Sequence, residues 1–163
     1  MKSLLIMRHA KSAWNEADVA DHDRPLNKRG VRDAPRMGEL LRREDVLPDL
    51  ILCSTAARAR ATAAALIETA GYGGEIKYKR SLYAAPPDAY LRALRGLPDR
   101  HERVMVIGHN PGLEELLEML TGEAEHLPTA AVVHVRLHVE RWGALRDHGD
   151  GELLALWRPR EAG

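Results

Sequence analysis

Two histidines and two arginines stand where chemistry can be built. Arg8 and His9 follow the apolar run "LLIM", Arg58 follows "LILCS" within "TAARARATA", and His109 follows "VMVIG". Each apolar run reads as a short buried strand, and open α/β sheets bind ligands beyond the carboxyl ends of their strands. One sheet edge should therefore collect two imidazoles and two guanidinium groups. Guanidinium groups fit phosphate oxygens bidentately, and helices beginning near residues 56 and 111 would aim their amide dipoles at the same point. Neighbouring cations push an imidazole pKa down, which keeps His9 neutral and nucleophilic. A neutral histidine can take a phosphoryl group and yield it to water. His109 is placed to hydrogen-bond the transferring oxygens as charge builds on them. Phosphoryl transfer needs mainly positioning and charge neutralisation, and these four residues supply both.

The elements that must position them follow from periodicity. Residues 3–8 form a buried strand, and "HAKSAWNEADVADHDRPLNKRG" is a polar loop of about twenty residues, a length that in a compact protein points to function or disorder. "VRDAPRMGELLRRE" has helical spacing at Met37, Leu40 and Leu41, and Pro35 predicts a kink or a late start near residue 33. Residues 49–54 are a second strand, with Ser54 or Thr55 capping the helix "AARARATAAALIETAG" that Gly71 ends. "EIKYK" is a third strand and "PPDAYLRALRGL" a helix opened by proline. Residues 103–108 are a fourth strand. Asn110 caps and Pro111 opens the helix "GLEELLEMLTG". "AVVHVRLHV" and "ELLALW" form a closing antiparallel hairpin. Such alternation predicts an α/β fold, a three-layer α/β/α sandwich with a largely parallel central sheet, and residues 1–163 read as one domain.

Composition excludes several classes. The 163 residues carry 24 basic and 24 acidic side chains, so there is no general attraction to nucleic acid or membrane. No apolar stretch is long enough for a transmembrane helix, and the N-terminal apolar run is too short for a secretory signal. The single cysteine, Cys53, precludes an intrachain disulfide, and the expected location is cytoplasmic. No feature of the sequence sets the oligomeric state.

The motifs resemble those of a known family. "RHAKSAWN" resembles the "RHG" signature of the histidine phosphatase (phosphoglycerate-mutase-like) superfamily, "STAARARATA" its second-arginine motif and "GHNPG" its second-histidine motif. "DHDRPLNKRG", "DLILCSTAARARATA", "GHNPGLEELLEMLTG" and "LPTAAVVHV" resemble the small phosphohistidine phosphatases of the SixA type, in order along nearly the whole chain. The resemblance implies a phosphoglycerate-mutase-like fold and makes His9 the phosphorylated nucleophile. Arg8, Arg58 and His109 are then the rest of the phosphate pocket. It implies substrate-binding roles for Arg24, in "DRPL", and for Asn15, which matches a phosphate-contacting asparagine of the mutase branch. Mutase-like members place an acid after the third strand; here "RSLYAAPPDAYL" offers none beside Leu82, and Asp88 lies several residues on. A phosphoramidate can be protonated on its leaving imidazole, so the gap favours P–N substrates. The implied activity is metal-independent and cofactor-free removal of phosphate from a phosphohistidine protein, with signal transduction as its setting. A phosphatase of small phosphate esters and a non-catalytic phosphate-binding module are the alternatives.

Other motifs read as structure. Cys53 lacks the C-x5-R loop of cysteine phosphatases, since Ala59 stands where the arginine should be. His134 and His138 share a strand face with Arg136, which suits a solvated surface better than a metal site. "GHNPG" has no Lys-Ser/Thr after it, so it is no Walker loop.

Overall fold

A computed structural model describes residues 1–14 and 18–159. Asn15 therefore lies outside the described residues. Among the described residues six strands form one sheet: β1 (Lys2–Arg8), β2 (Leu50–Ser54), β3 (Glu75–Lys79), β4 (Arg103–Gly108), β5 (Val132–Leu137) and β6 (Gly151–Trp157). Their order is β3-β2-β4-β1-β5-β6. The pairs β3–β2, β2–β4 and β4–β1 are parallel, while β5 runs antiparallel to both β1 and β6. The described helices that connect them are α1 (Lys28–Arg43), α2 (Ala57–Ala70), α3 (Pro87–Arg95) and α4 (Gly112–Thr121).

The sheet is covered on both faces, which is why its central strands are continuously apolar. Leu4 and Ile6 of β1 join Leu91, Leu94, Leu113 and Leu117 in the core under α3 and α4. Leu5 and Met7 join Met37, Leu41, Ala63 and Leu66 in the core under α1 and α2. The result is the expected three-layer α/β/α sandwich with a largely parallel sheet. No described helix is long and apolar enough to cross a membrane.

Three local expectations are corrected. Helix α1 begins at Lys28 rather than near 33, because the Asn27 side chain caps it by accepting from the Gly30 amide. It continues through Pro35; burial of Ala34, Met37 and Leu41 outweighs the lost hydrogen bond. Neither Ser54 nor Thr55 caps α2, whose N-cap is Ala56 without a side-chain bond. Nor does Asn110 cap α4, whose N-cap is Pro111; its amide instead donates to Glu114 and to the Leu127 carbonyl, both at 2.9 Å. In both cases the short polar side chain is drawn into the site. Gly71 ends α2 in the left-handed conformation, as predicted.

Register sets the chemistry. Arg8 pairs with Gly108 and Cys53 with Ile107. His9 and His109, each one residue further on, emerge together at the carboxyl edge of adjacent strands. The sheet is held on the α1–α2 side by a close helix crossing, where a Cβ at Gly38 would collide with the Thr69 hydroxyl and the Leu66 carbonyl. Gly38→Ala is accordingly expected to cost about 1–3 kcal/mol of stability, despite alanine's better helix propensity. Urea unfolding would show this as a lower midpoint at an unchanged m-value.

Candidate functional site

His9 is 7% exposed and tightly framed. Its amide donates to the Gly108 carbonyl at 3.0 Å, and its own carbonyl accepts from the Ala130 amide. In the ring, Nδ1 lies 2.7 Å from the Ala10 carbonyl oxygen. A carbonyl only accepts, so Nδ1 carries the proton and the lone pair sits on Nε2. Burial first, then the charges of His109, Arg58 and Arg8, hold the imidazole pKa down to about 3.

His109 faces it, with ring centroids 5.1 Å apart. Burial and the Arg58 guanidinium bring its pKa down to about 4. Its amide donates to the Tyr90 hydroxyl at 3.2 Å. Nε2 meets the Ser54 hydroxyl at 2.8 Å, and Nδ1 lies 3.5 Å from Arg58 Nη2. A guanidinium only donates, so Nδ1 accepts from Arg58, while the Ser54 hydroxyl both donates and accepts and can serve either tautomer of the ring.

The arginines are anchored on their outer sides. Arg8 Nη1 donates to the Leu127 carbonyl at 3.1 Å. Glu114 in the first turn of α4 secures that segment by accepting from the Leu127 amide at 2.7 Å. Arg58 donates from Nη1 to the Asp21 carbonyl at 2.7 Å and from Nη2 to the Asp21 carboxylate at 3.1 Å. The Nε atoms of Arg8 and Arg58 are buried with no partner among the described residues. Arg24 reaches the same place from the long segment between β1 and α1. It donates to Asp21 at 3.0 Å, to the Ser12 hydroxyl at 3.1 Å and to the Ala13 carbonyl at 2.9 Å. That segment is tied down by a Ser12–Leu26 bridge and a 3-10 turn at Asp21–Asp23, with His22 Nε2 2.9 Å from the Thr55 hydroxyl.

These groups line one cavity of about 300 Å³. Of the six site residues expected from the sequence, Arg8, His9, Arg24, Arg58 and His109 line it; Asn15 lies outside the described residues. Lys11, Ser12, Trp14, Ala84, Asn110 and Thr129 complete the described lining, which includes no carboxylate. The sequence reading placed Lys11, Ser12, Trp14 and Asp21 in the polar loop and Ser54 at a helix cap, with a site role for none of them. Asp21 stands behind the arginines, and the Tyr83 hydroxyl and the two guanidinium groups hold its carboxyl down to about 2. Its signal was the spacing "DHDR", which puts Asp21 three residues before Arg24. Cys53 is fully buried, and burial pushes its thiol up to about 12, far from a nucleophile's range. His134 bonds the Ser3 hydroxyl at 2.7 Å, while Arg136 pairs with Glu152.

Comparison with known proteins gives consistent matches. A model of the histidine phosphatase superfamily (branch 1) matches residues 4–83. An uncharacterized protein of Mycobacterium tuberculosis is 35% identical over 142 residues, covering 80% of this chain and 87% of its own length. A structure assigned as phosphohistidine phosphatase SixA from Agrobacterium tumefaciens is 30% identical at a TM-score of 0.84, covering 97% of this chain and 98% of that one. Another so assigned, from Nakamurella multipartitia, is 29% identical at a TM-score of 0.85, covering 97% and 96%.

The two imidazoles make stability depend on pH. Both stay neutral in the fold down to about 3 and 4, whereas unfolded histidines protonate near 6.5. The unfolded state then binds more protons, so stability should fall as pH drops from about 6.5 towards 4. In His9→Gln one of these titrating groups is gone, and the slope of unfolding free energy against pH across that window should flatten.

Proposed function

Since the chain belongs to the histidine phosphatase superfamily, in its SixA type, and is a phosphatase, we propose that it removes the phosphoryl group from phosphohistidine on a protein, through a phosphohistidine intermediate on His9. The observation that carries this reading is the lining of the cavity: cations and two neutral imidazoles, with no carboxylate among the described residues. An alkoxide leaving from a phosphate ester needs a proton from an acid. Asp88, the acidic residue that follows β3 in sequence, sits in the first turn of α3 and is not among the described residues lining the cavity. An imidazole leaving from phosphorus can carry its own proton in.

The chemistry balances without further groups. His9 Nε2 attacks phosphorus in line, its lone pair free because Nδ1 holds the proton against the Ala10 carbonyl. The P–N bond of the substrate breaks, and its electron pair stays with an imidazole already protonated on the remote nitrogen, which departs neutral. Arg8, Arg58, Arg24 and His109 hold and neutralise the phosphoryl oxygens. The phosphorylated His9 retains its Nδ1 proton, so it is itself a phosphoimidazolium and a good leaving group. Water attacks phosphorus, its protons pass to phosphate and solvent, and His9 returns neutral. A cavity of about 300 Å³ takes a phosphoryl group and one ring and leaves the rest of a protein substrate outside. No metal or organic cofactor has a part in these steps, and cytoplasmic signalling is the setting the reading implies. A purely binding module would have no use for a bare nucleophilic nitrogen aimed into the phosphate pocket.

Two measurements test this. Mixing with a phosphohistidine protein labelled on phosphorus should trap a phosphoenzyme that is lost in mild acid and survives alkali. His9→Ala should form none and should lose about 10³-fold or more in turnover; full activity in that variant would sink the mechanism. The acid limb of kcat/KM should fall well below pH 6.5, because the free enzyme's His9 remains unprotonated down to about 3. An acid limb centred near 6.5 would mean that another group is the essential base.

A further inference from the structure

Trp14 is 87% exposed, yet it lines the same cavity as Arg8, His9 and Arg58. The other large exposed apolar side chains, Met1, Val31, Tyr78 and Leu154, lie elsewhere. Single exposed apolar residues are ordinary, but an indole on the rim of a cationic cavity has a particular environment. The floor consists of buried groups, His9, Arg58, His109 and Thr129. The rim is the segment carrying half-buried Lys11 and Ser12 and exposed Trp14. In-line attack from the floor expels the leaving group on the opposite side, towards the rim. There the described lining offers no carboxylate to meet it, and of its described aromatic rings Trp14 is the one outside the buried floor.

We propose that Trp14 forms a leaving-group subsite that takes a heteroaromatic ring, the imidazole of the substrate phosphohistidine, against its indole face. This rests on the phosphohistidine reading above and deepens it. Until the P–N bond breaks, the substrate ring carries a proton on its remote nitrogen and is cationic. An indole face attracts such a ring by stacking and by its quadrupole. As phosphorus bonds to His9 Nε2, the electron pair of the old bond returns to the ring, which leaves as neutral imidazole and is held less firmly. The indole thus favours the protonated, reactive form without supplying a proton. The guanidinium groups of the lining, Arg8, Arg24 and Arg58, are engaged by the phosphoryl oxygens, and Arg24 is also paired with Asp21.

The test compares two P–N donors, free phosphohistidine and phosphoramidate, which has the same bond and no ring. Wild type, Trp14→Ala and Trp14→Phe are assayed on both. In Trp14→Ala, kcat/KM should fall about fivefold more for phosphohistidine than for phosphoramidate, and Trp14→Phe should recover most of that selectivity. Equal losses on the two donors, or a Phe variant as unselective as Ala, would overturn the subsite while leaving the phosphatase reading intact. A wild type that hydrolyses neither donor overturns the phosphohistidine reading and the subsite with it. Trp14 is exposed and packs into no core cluster, so neither variant should disturb folding.

Discussion

The hydrogen bond from His9 Nδ1 to the Ala10 carbonyl is the constraint on which the site depends. An imidazole pinned on one nitrogen by a group that can only accept has one neutral tautomer, with its lone pair on the other nitrogen. The backbone around it is fixed to match. The His9 amide and carbonyl are bonded to the flanking chain at Gly108 and Ala130. The Ala10 amide donates to the Thr62 hydroxyl at 2.9 Å, and that hydroxyl donates to the Arg58 carbonyl at 2.7 Å. Through Thr62, the segment that orients the nucleophile is tied to the helix that carries Arg58. Displacing either one strains the other.

Much of this was legible because strands and their ends are legible. A parallel sheet covered on both faces demands runs such as "LLIM", "LILC" and "VMVI", and whatever polar group follows each run must emerge at one edge. That reasoning needs no side-chain packing, and it placed Arg8, His9, Arg58 and His109 beside one another. Register did the rest: pairing Arg8 with Gly108 brings out His9 and His109 together.

What could not be read is what depends on pairs distant in sequence. Ser54 looked like a helix cap because serine before a helix usually is one. It serves His109 instead, 55 positions away, while still accepting from the Ala56 amide. Asn110 was misread in the same way, since its amide is claimed by Glu114 and Leu127. Asp21 is the sharper case. Its ion pair with Arg24 is local and was foreseeable, but its bonds to Arg58 and Tyr83 join it to chain 37 and 62 positions on. Pro35 misled for a different reason: local propensity argued for a late start, and burial of one helix face against α2 prevailed.

The charge arrangement explains why the pocket needs both a rigid floor and a loop-borne rim. Arg8 and Arg58 are held on one side by carbonyls and Asp21, and each leaves a buried Nε–H without a protein acceptor among the described residues. Unmet donors in a buried place are costly. By remaining neutral, the histidines add no positive charge to the cluster, while still offering one nitrogen each. A sheet edge alone can supply those four groups but cannot close around a phosphoryl oxygen on the outer side. Residues 10–14 and 18–27 do so, bringing Lys11, Ser12 and Arg24 to the cavity with Asp21 balancing the cations from behind. Rigidity where bonds are made and a polar strap where groups arrive and leave are two demands on one short stretch of chain, and the break in character after "LLIMRH" is where the first gives way to the second.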